Sequence, residues 1–317
     1  MSEENPAKNH QFEVVMVGAG PSALAAAVYT TRENIETILL EKGAIGGLAA
    51  VTDLVDNYPG FEQGVAGLEL AQKLQAQAER FGAKIELTEV MAIEDQGQIK
   101  LVKTADGDYQ ARAVLIATGS DYKKIGVPGE TEYYGRGVHY CATCDGAFYN
   151  DKRLVVVGGG NSAAQESLFL TRFASHIDIL IRSDWRASDV LIEEIERHPK
   201  IIVHKGITTD EIAGENNQVT KVIGTNQANS QRVEFPTDGV FVFVGLSPNT
   251  GFLKDSPIEL DERGFIMTDE NLKTSMPGVF AAGDVRSGAT MQIASAVGEG
   301  ATAALKIREY LEGRQNF

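Results

Sequence analysis

The sequence predicts an α/β protein made of two Rossmann-like dinucleotide-binding domains, the second inserted into the first. Three observations predict it. Near the N-terminus an apolar strand, Val14 to Val17, runs into Gly18-Ala19-Gly20-Pro21-Ser22-Ala23 and then into an Ala- and Leu-rich segment of helical density. The same order returns 140 positions later, with Leu154 to Val157 followed by Gly158-Gly159-Gly160-Asn161-Ser162-Ala163. A last strand and turn, Gly278-Val279-Phe280-Ala281-Ala282-Gly283-Asp284, follows the second unit and returns the chain to the first domain. At 317 residues the chain also exceeds the roughly 250–300 that one core organises.

The elements follow in order. Ala23 through Arg32 reads as helix, and Ile38-Leu39-Leu40-Glu41 as a second buried strand that ends in a carboxylate. Ala113 to Ile116 is another buried strand, ending in Ala117-Thr118-Gly119, and the breaker-rich stretch Lys123 to Gly129 is taken as the first crossing between domains. In the second unit a helix to about Arg172 and a strand Ile177 to Ile181 repeat the opening pattern. The strand Val240 to Val244 meets a second breaker cluster, Gly245 to Asn249, where the chain crosses back, and Ile293 to Leu311 reads as the closing helix. The expected domains are therefore 1–121 with 249–317, and 122–248.

Composition narrows the function. Lys and Arg number 29 against 44 Asp and Glu, a net charge of −15 that repels phosphate backbones and anionic lipid and argues against nucleic-acid or membrane partners. The opening MSEENPAKNH lacks the charged-then-apolar pattern of a secretion signal, and no apolar run spans a bilayer, so a cytoplasmic location is expected. Two cysteines are too few for a disulfide-built secreted fold.

A GxGxxA turn between a buried strand and a helix lets backbone approach a pyrophosphate, and the helix N-terminus stabilises its charge. Against the reading of two tight structural turns, the duplication in the same context favours two dinucleotides. Glu41, 23 residues after Gly18, suits the hydroxyls of an adenosine ribose and rejects a 2′-phosphate. The matching position in the second unit, 24 residues after Gly158, is Arg182, with Arg186 just beyond. Guanidinium groups there favour a 2′-phosphate, although solvated surface charge is the competing reading. FAD in the first domain and NADPH in the second is the pairing these residues support.

Cys141-Ala142-Thr143-Cys144 has the spacing of a reversible disulfide, in which one thiol becomes reactive. Half of a zinc site and an inert pair are the competing readings; no further cysteine exists, and the five histidines show no paired ligand spacing, so no metal is expected. Asp145 directly follows Cys144 and is placed to move a proton to or from a thiolate, or simply to cap a helix. His139 is read as a spectator. Neither lobe has sequence to spare for a roomy small-substrate pocket, which points to a protein disulfide as the oxidant.

These segments resemble the low-molecular-weight thioredoxin reductases nearly end to end. The resemblance is carried by the two glycine turns, Asp56-Asn57-Tyr58-Pro59-Gly60-Phe61, Ala117-Thr118-Gly119, Cys141-Ala142-Thr143-Cys144-Asp145-Gly146 and Phe280 to Arg286. It implies a thioredoxin-disulfide reductase acting on thioredoxin or a thioredoxin-like protein, a homodimer with non-covalent FAD, and lobes that rotate so that disulfide and nicotinamide take turns at the flavin. By the same resemblance Gly18, Gly20, Pro21, Ser22, Glu41, Lys42, Gly47, Asn57, Gly119, Gly283, Asp284, Gln292 and Ile293 would hold FAD. Gly158, Gly160, Asn161, Ser162, Ala163, Arg182 and Arg186 would hold NADPH; Cys144 would face the flavin, Cys141 would attack the partner's disulfide, and Asp145 would donate the proton. The chain departs from the family pattern at Leu48 after Gly46-Gly47, at Met291 before the glutamine, and in Ile181-Arg182-Ser183-Asp184-Trp185-Arg186, which is one residue shorter and one Arg poorer. Some relatives on this fold take electrons from ferredoxin or a reduced deazaflavin, and a flavin-dependent dithiol oxidase or a redox-sensing scaffold are further alternatives.

Overall fold

The computed structural model describes residues 10–52 and 54–313, so the stretch before His10 that was read for a secretion signal lies outside them. The chain forms two compact units: one runs up to Asp121 and resumes at Ser247, the other is Tyr122–Leu246. The stretch Lys123 to Gly129, expected as the crossing, belongs to the second unit. There the buried Glu130 carboxylate accepts the amides of Ile125 (2.9 Å) and Gly126 (2.7 Å) and the Tyr140 hydroxyl (2.8 Å), which pins those breakers into a fixed loop.

In the first unit, five parallel strands run in the order Lys84–Leu87, Thr37–Glu41, His10–Val17, Asp108–Ile116 and Val279–Ala281. The Ile99–Thr104 and Val90–Gln96 strands extend the sheet in antiparallel fashion. Parallel strands bury both faces, which is why Val14 to Val17 is an uninterrupted apolar run. Val14 and Met16 pack on one side with Leu24, Ala27, Ala303 and Ile307, whereas Val15 and Val17 pack on the other with Ile38, Leu40 and Ile266.

The first helix, Pro21–Arg32, begins two residues earlier than the hydrophobic pattern suggests, because proline suits the first turn, where no backbone N–H is needed. It packs along the C-terminal helix, Ile293–Leu311, through alanines and one glycine. A Cβ on Gly300 would lie 2.1 Å from the Ser22 carbonyl oxygen, so the two helices touch at backbone distance.

The second unit repeats the plan in a five-stranded parallel sheet ordered Ile201–Lys205, His176–Ile181, Arg153–Val157, Gly239–Val242 and Val138–His139. Leu154 and Val156 face the Asn161–Leu170 helix, and Val155 and Val157 face a three-stranded antiparallel sheet that supplies Val222 and Phe235. That small sheet, Ile207–Glu215, Gln218–Asn226 and Gln231–Pro236, covers the face that a second layer of helices would otherwise cover.

Replacing Gly300 by Ala should force the two helices apart. Overpacking of this kind costs about 1–3 kcal/mol, so thermal unfolding should show a lowered midpoint with no change in helix content of the surviving fold.

Candidate functional site

In each unit the parallel register brings the strand ends to one edge of the sheet, and the candidate residues gather there. In the first unit, Gly18 adopts φ +99° directly after the central strand, and a Cβ at that position would lie 2.5 Å from the Ala117 carbonyl oxygen. No other residue fits between these two strand ends. Gly20, at the N-terminus of the Pro21–Arg32 helix, has no atom within 4 Å of where a Cβ would stand, and a Cβ on Gly47 would lie 3.7 Å from the Gly20 Cα, so the turn presents open backbone.

Glu41 ends the neighbouring strand and accepts the amides of Ala19 and Gly43, each at 2.7 Å, which fixes its carboxylate against the turn while leaving further lone pairs. Asn57 donates to Gln292 at 3.1 Å, joining the Asp56–Phe61 loop to the start of the closing helix, and Gly119 accepts the Asn249 amide at 3.0 Å. Ile293 packs with Val55, Val65 and Leu70, so its side chain serves the fold as well as the site's edge. Lys42 is exposed and makes no hydrogen bond or ion pair among the described residues. At the two departures, Leu48 is exposed, and Met291 sits with its sulfur 4.0 Å from the Ser120 hydroxyl.

Two groups in this edge want a partner. The Ser22 hydroxyl is buried without one, and the Asp284 carboxylate accepts no hydrogen bond among the described residues. Burial, with a smaller contribution from Glu299, pushes Asp284 up from 3.8 to about 6. Glu299 is itself locked by Arg286 (2.7 and 3.1 Å) and by the Gly283 amide (2.8 Å), so the backbone beside Asp284 is rigid. A turn open at Gly20, the buried Ser22 hydroxyl without a partner and a half-buried Asp284 acceptor without a donor fit a polar, phosphate-bearing ligand such as FAD.

In the second unit, a Cβ on Gly158 would lie 2.4 Å from the Phe243 carbonyl oxygen, while Gly160, before the Asn161–Leu170 helix, is open. Ser162 is exposed on the first turn of that helix, and Ala163 is buried under it. Asn161 turns out to organise the arginine loop: its side-chain oxygen accepts the Ser188 amide at 2.8 Å. The Gly159 carbonyl accepts the Arg186 amide at 2.6 Å. The loop is thus fastened through its backbone, and the exposed side chains of Arg182 and Arg186 form no ion pair among the described residues. Asp184 between them is neutralised by Lys205 at 2.8 Å. Two free guanidinium groups beside an open glycine turn fit the 2′-phosphate of NADPH.

Cys141 and Cys144 form a disulfide, with Cα atoms 5.3 Å apart, at the start of a single helical turn, Ala142–Asp145. The Cys144 amide donates to the Cys141 sulfur at 3.2 Å, an interaction that favours a thiolate at Cys141 once the bond opens. Asp145 is partly buried and meets His139, whose Nδ1 lies 3.2 Å from the carboxylate; on the other side of the ring, Nε2 lies 2.6 Å from the Tyr149 hydroxyl. The sequence left His139 without a role and did not single out Tyr149 or Glu299, because each becomes visible only when separate segments meet.

Asp284 yields a pH test. A carboxyl raised on folding holds its proton in the folded protein, so its stabilising contribution is present at low pH and is lost as pH rises through about 6. In flavin-free protein, unfolding midpoints of wild type and Asp284→Asn should diverge between about pH 4 and pH 6, with wild type losing ground as pH rises; parallel curves would overturn the assignment.

With this geometry in place, comparison with known proteins is direct. A family profile described as pyridine nucleotide-disulphide oxidoreductase matches residues 12–300. A thioredoxin reductase from Bacillus subtilis is 43% identical over 305 residues, covering 96% of this chain and 96% of that protein. The crystal structure of thioredoxin reductase from Streptococcus pyogenes superposes with a TM-score of 0.92 at 40% identity, over 96% of this chain and 100% of that one. A thioredoxin reductase from Giardia duodenalis gives 0.91 at 31% identity, over 96% and 100%. Two duplicated nucleotide edges, a CxxC disulfide in the inserted unit and end-to-end similarity lead to one statement: the chain belongs to the pyridine nucleotide-disulphide oxidoreductases, within their low-molecular-weight thioredoxin reductase branch.

Proposed function

We propose that this chain is an FAD-dependent thioredoxin-disulfide reductase that takes electrons from NADPH and passes them through the Cys141/Cys144 disulfide to thioredoxin. The observation that carries the reading is the disulfide itself, set within one helical turn of the partly buried Asp145 carboxylate and in the same unit as a glycine turn beside two arginines that form no ion pair among the described residues. In this reading the first unit, which runs up to Asp121 and resumes at Ser247, holds FAD through Gly18, Gly20, Glu41, Asn57, Asp284 and their neighbours. The second, Tyr122–Leu246, holds NADPH. A homodimer in the cytoplasm completes the proposal; among the described residues no helix is long and apolar enough to cross a membrane.

When bound, FAD supplies a two-electron carrier between nicotinamide and disulfide. The residues of the chain do the rest. Open backbone at Gly20 and Gly160 receives pyrophosphate at a helix N-terminus. Glu41 excludes a phosphate on the first ribose, and Arg182 and Arg186 welcome one on the second. After the internal disulfide is reduced, the Cys141 thiolate, favoured by the Cys144 amide, attacks a sulfur of the substrate disulfide. A mixed disulfide forms and one substrate thiolate leaves. Cys144 then attacks the Cys141 sulfur, restoring the internal disulfide and releasing the second thiolate, while Asp145 moves a proton to or from sulfur.

The deciding experiment is anaerobic titration of the purified yellow protein with NADPH and then oxidised thioredoxin, following flavin absorbance. Bleaching by NADPH and recovery with thioredoxin are expected; a flavin that NADPH leaves oxidised would sink the reading. Changing both Arg182 and Arg186 to Ala removes charge-assisted bonds worth about 1.5–3 kcal/mol each. NADPH affinity should fall at least tenfold in calorimetry, and NADH affinity should stay nearly constant. The cysteines should differ. Cys144→Ser should trap a mixed disulfide with a thioredoxin that lacks its resolving cysteine and carries thionitrobenzoate in a disulfide on the other, thionitrobenzoate leaving as the thiolate; Cys141→Ser should not, and both should lose turnover. Trapping by Cys141→Ser alone would exchange their roles.

A further inference from the structure

We propose that His139 is a positioning residue for the disulfide chemistry. It shares one proton with Asp145, and the pair delivers that proton to a sulfur when the Cys141–Cys144 bond opens. This rests on the disulfide-reductase reading above.

The geometry is built rather than incidental. His139 ends the short Val138–His139 strand at the margin of the second sheet and is 7% exposed. Its ring is held on three sides. Nδ1 meets Asp145 at 3.2 Å, Nε2 meets the Tyr149 hydroxyl at 2.6 Å, and the face stacks on Phe241 with centroids 5.2 Å apart. Tyr149 is fixed in turn, because a Cβ on Gly239 would lie 2.5 Å from its ring, so the sheet leaves space for that ring only by having glycine there.

The charged and titratable groups around the imidazole are few. Asp145 is in contact with it, and Tyr149 is the other direct partner. Asp238 acts on Tyr149 at longer range. No Lys or Arg pairs with Asp145 among the described residues. Burial first, then the nearby Asp145 and Asp238 charges, keeps Tyr149 protonated. A neutral tyrosine hydroxyl donates to a bare Nε2 or accepts from Nε2–H, so the pocket satisfies imidazole and imidazolium alike.

Opening the disulfide takes two electrons, supplied by the reduced flavin of the proposed function, and leaves negative charge on sulfur. In the charged pair, the Nδ1 proton passes to the Asp145 carboxylate, and Asp145 then gives that same proton to the sulfur. An N–H bond breaks and an S–H bond forms. Imidazolium and thiolate become imidazole and thiol, Asp145 ends ionised as it began, and solvent later restores the proton. A free carboxyl gives up its proton near pH 4, whereas an imidazolium keeps one to about pH 6.5. With Nδ1 of the imidazole 3.2 Å from the carboxylate, the pair gives the proton a second site that Asp145 alone lacks.

The test needs neither NADPH nor thioredoxin. The flavin-loaded protein is reduced anaerobically with a phosphine, and the rate of iodoacetamide alkylation at Cys141 and Cys144 is followed by mass spectrometry from pH 5 to 9. Wild type should show two steps, the lower one belonging to the pair. His139→Asn keeps an N–H donor toward Asp145 but cannot titrate, and it should abolish the lower step. Tyr149→Phe, which removes the Nε2 partner, should move that step without abolishing it. In turnover, His139→Asn should lose rate several-fold above pH 7 while NADPH still reduces the flavin at the wild-type rate. Superimposable alkylation curves for wild type and Tyr149→Phe, and for His139→Asn where it folds, would overturn the inference. A normal two-step curve in a protein that does not reduce thioredoxin would instead refute the proposed function and leave the shared proton standing.

Discussion

Everything at the two nucleotide edges depends on one close approach made twice. The end of a neighbouring strand comes so near the glycine turn that a methyl group would lie 2.5 Å from the Ala117 oxygen in one unit and 2.4 Å from the Phe243 oxygen in the other. That contact closes the sheet against the turn and aims the following helix at the space beyond the strand ends. It also places the second-strand residues, Glu41 and Arg182, beside the turns they serve. Parallel pairing supplies the common edge, and the absence of a side chain at Gly18 and Gly158 lets it close.

The sheets were legible in the sequence because strands buried on both faces leave continuous apolar runs, as in Val14 to Val17 and Leu154 to Val157. The closing helix has the same bounds in pattern and structure, Ile293–Leu311, since a long alanine-rich face leaves little latitude. Polar loops were less legible. Lys123 to Gly129 has the composition of a linker, yet a buried glutamate fixes it within the inserted unit. Composition reports turn propensity and is blind to an acceptor supplied from elsewhere.

The candidate site divides along the same line. Motif residues were found because their spacing is a physical requirement of a turn or a thiol pair. Their supports were not. Glu299 reaches the Gly283 backbone from another element, and Tyr149 meets His139 across ten positions. Asn161 reads as a ligand-facing residue of a fingerprint, and its side-chain oxygen also fastens the Ser188 amide. No period or spacing encodes such contacts.

The fastening of the arginine loop has a consequence for redesign. Asn161 and the Gly159 carbonyl hold backbone amides, so the loop's path does not rely on what Arg182 or Arg186 carry beyond their Cβ atoms. Its shape and its charge are separate variables. Under the proposed assignment of the arginines, coenzyme choice would be open to change by swapping exposed side chains on a fixed frame, with Asp184, already facing Lys205, available as a ready-made carboxylate once that lysine is removed.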